Sequence, residues 1–178
     1  NASFNAYEWH NYAVTVKDGT TLNVYIDGAL VHTATLNGAI STTNTASPFA
    51  IGTSFNGGYP FCGAVDIVKV FNKELTAEQI AALANVEDTD EPGTDEPGTD
   101  EPATKELIAD YTFDGVDLGA DATGRYPLTD TTLAAIVDGK NGNGVSFDSD
   151  HLFSFFLYNN SLLKGTNTFS VSADAKFD

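Results

Sequence analysis

An acidic repeat divides this chain into two strand-rich segments, and this division constrains the fold more than any other feature. Residues 89–103 contain Thr-Asp-Glu-Pro three times, followed by Gly93, Gly98 and Ala103 in turn. Regularly spaced prolines and unopposed acids cannot bury a core, so this stretch is predicted to be an extended, solvated linker. A few strands on either side of it would leave edges unpaired and a core open. The two segments must therefore complete each other, pair with other copies, or be cut from a longer array.

Composition narrows the class of partner. The formal net charge is −17, and the linker contributes only part of it. Such a surface repels phosphate backbones and anionic lipid surfaces, so we expect neither nucleic-acid binding nor membrane insertion. The single Cys62 excludes an internal disulfide and a cysteine-based zinc cage. The chain has no Met, so residue 1 is not a translation start and we expect a mature or excised piece of a longer protein.

Alternating apolar and polar residues predict strands in both segments. Residues 12–17 and 22–26 alternate with period two and are joined by a turn, and Asp27-Gly28 turns the chain into a third strand. Residues 64–71 are apolar on both faces except at two charged positions, a pattern typical of an interior strand. The cleanest alternation is at residues 169–177. Strands therefore dominate the prediction on both sides of the linker.

One helix is predicted, and its start is well defined. Thr76 and Gln79 have the spacing of a capping box, in which the hydroxyl and the amide side chain each satisfy a backbone N–H. Leu75 and Ile80 stand at the two positions of a hydrophobic staple. We expect a helix of about ten residues here, close to the mean helix length.

Several short motifs follow one another in an informative order. The first segment contains W-H-x-x-A-V-T at 9–15, L-x-x-Y-x-D-G at 22–28 and F-x-G-x-V-D at 61–66. The second contains D-A-T-G at 121–124 and G-K-x-G-x-G-x-x-F at 139–147. The first set resembles the closing half, and the second the opening half, of laminin-G-like, pentraxin-type jelly rolls among the concanavalin A-like lectin/glucanase domains. Ile67 and Arg125 depart from the family pattern, which has Asp and Asn at those places.

The resemblance implies an all-β fold, an antiparallel β-sandwich of the jelly-roll type with one short helix. Residues 1–85 would be the C-terminal half of the domain, residues 86–106 the TDEPG-repeat linker, and residues 107–178 the N-terminal half. Because first and last strands are neighbours in such folds, the linker could close a circularly permuted domain. A domain-swapped assembly with self-association, or two clipped tandem domains, are the alternatives.

Catalysis is not expected. Glucanases of this superfamily place two Glu on one face of a strand to act as acid and nucleophile. The glutamates of this chain form no such strand motif, so we predict a non-enzymatic piece, whose parent protein could be a glycosidase. His10, His32 and His151 are scattered through strand-like segments and accompany no nucleophile-elbow motif. They are predicted to be ordinary strand histidines.

Calcium is the metal that the resemblance implies, in a structural role. Asp121 in the D-A-T-G loop and Asp66 on the closing strand would supply carboxylates, with backbone carbonyls completing the shell. Asp66 needs a partner in any case, because a carboxylate inside an apolar strand must be paired or hydrogen-bonded. The alternative to calcium at Asp66 is a salt bridge to Arg125 or Lys69.

Glycan binding would need an exposed aromatic ring beside polar side chains, because a ring face stacks on the C–H groups of a sugar. Phe55, Asn56 and Tyr59 in a Gly-rich loop are candidates, and Tyr158 and Asn159 form a second set. For each aromatic residue, plain surface packing is the alternative.

These observations favour a carbohydrate-binding, lectin-like module of a secreted or cell-surface multidomain protein, of bacterial type and accessory to a glycoside hydrolase. Two other functions remain open. One is a structural or adhesive spacer of a cell-surface protein that has no glycan ligand. The other is a laminin-G module that binds a protein.

Overall fold

The computed structural model describes residues 4–38, 40, 48–53, 59–85, 107–130, 135–148, 155–157 and 162–178. In these ranges the protein consists mostly of strands with one short helix, which confirms the predicted all-β class. The strands are β1 (His10–Lys17), β2 (Thr21–Ile26), β3 (Ala29–Thr35), β4 (Phe49–Ile51), β5 (Gly63–Phe71), β6 (Leu107–Tyr111), β7 (Thr129–Asp130), β8 (Ala135–Asp138), β9 (Asn143–Phe147), β10 (Phe155–Leu157) and β11 (Phe169–Phe177). The helix α1 (Ala77–Ala84) follows β5.

The strands form two antiparallel sheets. The larger sheet has eight strands in the order β3-β2-β1-β11-β5-β9-β8, with β6 also paired to β5. The smaller sheet has three strands in the order β4-β10-β7. This arrangement confirms the predicted β-sandwich, in which each sheet buries one apolar face against the other.

Strands from the two ends of the chain lie side by side in the larger sheet. The last strand, β11, is inserted between β1 and β5 and pairs with both of them. Its register places Val171 opposite Val14 of β1 and Val70 of β5. The two strand-rich segments therefore complete one sheet within a single chain. The boundaries predicted for the linker stay a prediction, because residues 86–106 lie outside the described ranges.

The hairpin between β2 and β3 follows directly from the sequence. Asp27 and Gly28 both have positive φ, 49° and 77°, which a two-residue turn of type I′ requires. Asp tolerates the left-handed region better than most residues, and Gly has no Cβ to clash. A Cβ on Gly28 would also lie 2.8 Å from Cα of Ala81, so the glycine lets α1 approach the turn closely.

Helix α1 begins with the predicted capping box. The Thr76 hydroxyl accepts from the backbone N–H of Gln79, and the Gln79 side chain accepts from the Thr76 N–H at 3.0 Å. The helix has eight residues, two fewer than expected. Ile80 and the preceding Leu75 are fully buried and pack in a small core with Ala13 and Tyr25. The helix thereby covers the face of the larger sheet that points away from the smaller one.

The main core includes buried residues of both sheets. Its members on the larger sheet include Val68, Val145 and Phe147, and Ile51 joins it from the smaller sheet. Tyr111 is fully buried, and its hydroxyl donates to the carbonyl of Tyr126 at 2.8 Å. This core joins the two sheets.

Candidate functional site

A cleft of about 520 Å³ opens between the two sheets. The larger sheet contributes side chains of β5 and β11, and the smaller sheet contributes β4 with the residues that follow it. The residues that line the cleft are Phe49, Ala50, Ile51, Gly52, Thr53, Tyr59, Pro60, Phe61, Val65, Val68, Val171 and Ala173. Its volume is within the range of small-molecule binding sites.

The apolar wall of the cleft results from the period-two pattern of β11. Ser170, Ser172 and Asp174 are buried on the face toward α1, so the alternate residues Val171 and Ala173 face the smaller sheet. These two side chains are only half-buried, although they lie in the centre of the larger sheet. The described strands of the smaller sheet therefore leave part of the apolar face uncovered, and this uncovered part forms the wall.

Tyr59 stands at the rim of the cleft. It lines the cleft and yet is 88% exposed, so its ring is free to meet a ligand. Its φ of 57° lies in the left-handed region, which is uncommon for a residue other than Gly, Asn or Asp. Such backbone conformations cluster at ligand-contacting sites. Of the five predicted glycan-binding residues, Tyr59 is the one within the described ranges; Phe55, Asn56, Tyr158 and Asn159 lie outside them and stay predictions.

Asp66 is buried in β5 at a β-bulge. Ile67 is the extra residue of the bulge: its φ is 24°, and the register with β11 shifts at this point. The carboxylate of Asp66 accepts from the N–H of Ile67 and from the N–H of Asn141, each at 2.8 Å. Asp66 is thus held by backbone donors instead of the alternative salt bridge, since Lys69 pairs with Asp110 at 3.4 Å.

The electrostatic environment of Asp66 favours its neutral form. Burial raises the pKa of Asp66 to about 6. The N–H donors of Asn141, Ile67 and Lys140 act in the opposite direction, and the nearby Asp174 carboxylate adds to the rise. Desolvation is the largest of these effects, as expected for a carboxyl group that water does not reach.

The pKa of Asp66 predicts that the free energy of unfolding falls by about 2 kcal/mol as the pH rises from 4 to 6. The folded protein keeps the proton on Asp66 up to about pH 6, whereas the unfolded chain loses it near 3.8. This stabilisation is complete below the unfolded pKa and is lost as the pH passes through the folded one. Urea unfolding at pH 4, 5, 6 and 7 measures it against Asp66→Asn, which has no such proton. Identical pH profiles for the two proteins would contradict the prediction.

Asp121 is the centre of a hydrogen-bonded loop. Its carboxylate accepts from the backbone N–H groups of Asp110, Thr123, Arg125 and Tyr126 at 2.8–3.0 Å. The hydroxyl of Thr123 donates a further bond at 2.6 Å. Burial alone would raise the pKa of Asp121, but these donors lower it below the ordinary value. Asp121 therefore fixes its loop against β6.

Calcium binding by Asp66 and Asp121 stays a prediction. Within the ranges that the structure describes, no group of three or more His, Cys, Asp or Glu side chains is placed to hold a metal ion. The two carboxylates accept from separate sets of donors, Asp66 beside Asn141 and Asp121 beside Tyr126. A calcium ion would have to displace some of these donors to complete its shell of oxygens.

A buried polar cluster escaped the sequence-based prediction. Asp174 accepts from the Asn11 amide at 2.9 Å and from the Lys140 ammonium at 3.1 Å. Lys140 also donates to the carbonyl of Ala84 at the end of α1, also at 3.1 Å. The cluster ties the helix to the larger sheet. Lys140 belongs to the G-K-x-G motif at residues 139–142. This motif was the sequence feature that could have indicated the cluster.

None of the described glutamates lies in a strand, whereas His10 and His32 do. Glu8 and Glu74 lie outside the strands and Glu78 lies in α1, so none of these three belongs to a strand pair of carboxylates. His10, on β1, pairs with Asp27 at 2.7 Å and with the carbonyl of Asn5.

Part of the chain matches one protein-family model. Residues 1–81 match a laminin G-type model described as the concanavalin A-like lectin/glucanases superfamily. No curated protein and no solved structure matches the chain. Among the described residues, no helix has the length and apolar character needed to cross a membrane.

Proposed function

Residues 1–81 match a model of the concanavalin A-like lectin/glucanases superfamily, and from this match we propose that the chain is a carbohydrate-binding module. This match supports a lectin-like or adhesive module. The finer proposal is a non-catalytic module of a secreted multidomain protein of bacterial type, accessory to a glycoside hydrolase. Its role would be to hold the parent protein on a glycan.

The observation that carries the proposal is the exposed ring of Tyr59 at the rim of the cleft. A sugar ring can stack on this face through its C–H groups while its hydroxyls remain in water or contact neighbouring polar groups. The left-handed backbone of Tyr59 supports the proposal, because such conformations are enriched at ligand-contacting sites.

Two predicted features complete the proposed site. Phe55 and Asn56 are close to Tyr59 in sequence, and their side chains would add a second ring and an amide that reads hydroxyl groups. Tyr158 and Asn159 are the second predicted set. Calcium at Asp66 and Asp121 would stiffen the loops of the module without contacting the sugar.

We expect Tyr59→Ala to weaken glycan binding about tenfold, which corresponds to about 1.4 kcal/mol for one aromatic contact. A glycan array identifies the ligand, and calorimetry with that glycan measures its affinity. Tyr7→Ala is the matched control, because Tyr7 is also an exposed tyrosine, at 70%. Both variants should retain the stability of the wild type, since neither ring is buried.

The same array, run with and without a chelator, tests the other parts of the proposal. Binding that a chelator weakens supports the calcium site, and binding that it leaves unchanged rejects a role for calcium. A blank array on folded protein would reject glycan binding and favour a structural or adhesive spacer.

A further inference from the structure

The lining of the cleft is mostly apolar, whereas its rim has the exposed ring and hydroxyl of Tyr59. We infer that the ligand is a neutral amphipathic glycoside, whose sugar stacks on Tyr59 and whose alkyl or aryl tail lies in the cleft between the sheets. This inference rests on the proposed glycan binding at Tyr59 and adds the nature of the group attached to the sugar.

The walls of the cleft cannot satisfy a buried sugar. Among the described lining residues, Thr53 and Tyr59 are the two whose side chains carry a polar atom. A sugar has several hydroxyls, and each one that is buried without a hydrogen-bond partner costs binding free energy. The sugar is therefore confined to the rim, and the interior suits a hydrocarbon.

The interior is large enough for a tail of useful length. The cleft opens to solvent and has a volume of about 520 Å³, which is within the range of small-molecule binding sites. Val65 and Val171 form one side and Phe49 the other, so a chain inserted between the sheets would contact apolar side chains on both sides.

Charge selects among the possible amphiphiles. None of the described lining residues carries a charge, and the protein as a whole has a net charge of −17. A fatty acid or an anionic detergent would be repelled by the protein and would have no cation to meet in the cleft. A tail attached to an uncharged sugar avoids both costs.

The test is the dependence of affinity on tail length. Methyl, hexyl, heptyl and octyl β-D-glucoside are titrated by calorimetry below their micelle concentrations, with 1-octanol for comparison. From hexyl to octyl, each added methylene should strengthen binding about fourfold, as expected for a CH₂ group taken out of water. Octanol should bind more weakly than octyl glucoside, because it lacks the sugar that stacks on Tyr59.

Variants locate the tail. Ala173→Leu adds three carbon atoms inside the cleft and should reduce the fourfold step, whereas Ala77→Leu adds the same volume at the exposed start of α1 and should preserve the step. Ala173→Val adds two carbon atoms at the same place and replaces Ala173→Leu if that variant does not fold. Tyr59→Ala should weaken the binding of all the glucosides by the same factor. It should leave the fourfold gain in affinity per methylene unchanged.

The outcomes separate this inference from the proposed function. Glycan binding on the array without any dependence on tail length would overturn the amphipathic ligand and leave the carbohydrate-binding module standing. An unchanged fourfold step in the variants at position 173 would overturn the placement of the tail. Equal affinity for octanol and octyl glucoside, together with a blank array, would overturn both.

Discussion

Residues 1–85 and 107–178, prepared as two separate peptides, are expected to be unfolded alone and to assemble into one folded unit when they are mixed. In the larger sheet β11 pairs with β1 and β5, so each peptide alone would lack the neighbours of its central strands. The main core also mixes Val68 of the first peptide with Tyr111 and Phe147 of the second. A partial sheet with an open core cannot offset the conformational entropy of folding.

Circular dichroism of each peptide and of the mixture measures this result, and calorimetry gives the affinity between them. The uncut chain is the control, and it should be more stable than the complex because the linker keeps the segments at millimolar effective concentration. A cooperative thermal transition in either peptide alone would contradict the shared sheet. A mixture that stays unfolded would contradict it as well.

Gly52→Ala is expected to reduce the free energy of unfolding by about 4 kcal/mol. The φ of Gly52 is 86°, a strained value for alanine, and its Cβ would overlap the ring of Phe147. Phe147 is only 1% exposed and packs edge-on against Phe61, so it has little room to move. The variant therefore combines backbone strain with overpacking of the core.

Gly165→Ala is the matched control for this substitution. Its φ of 83° is nearly the same, but no atom lies within 4 Å of the position of the added Cβ. It should cost only the backbone strain, about 1–2 kcal/mol. Urea unfolding of both variants separates strain from overlap, and equal losses would mean that the Phe147 ring does not confine Gly52.

Features that depend on neighbouring residues could be predicted from the sequence. The last strand begins at Phe169 and ends at Phe177, as its alternation indicates, and the capping box of Thr76 is formed. The turn at Asp27-Gly28 has the backbone that its residue types favour. In each case the physical cause acts within a few residues, so a local pattern contains it.

Features that depend on distant parts of the chain were only partly predictable. The carboxyl group of Asp66 was expected to need a partner, but its partner is the N–H of Asn141, which only the pairing of β5 with β9 brings near. The cleft was missed for the same reason. The sequence pattern predicts that Val171 is an ordinary core residue, because the pattern does not give the extent of the opposing sheet. Tyr59 was predicted from its residue type and its loop, not from its backbone strain.

The central position of β11 has a consequence for synthesis on the ribosome. β5 leaves the exit tunnel about 100 residues before β11, which is about 5–20 s at ordinary rates of translation, and β1 leaves earlier still. During that interval both strands have exposed backbone groups that could pair with another nascent chain. The acidic repeat emerges in the same interval, and its negative charge would repel neighbouring copies until β11 arrives.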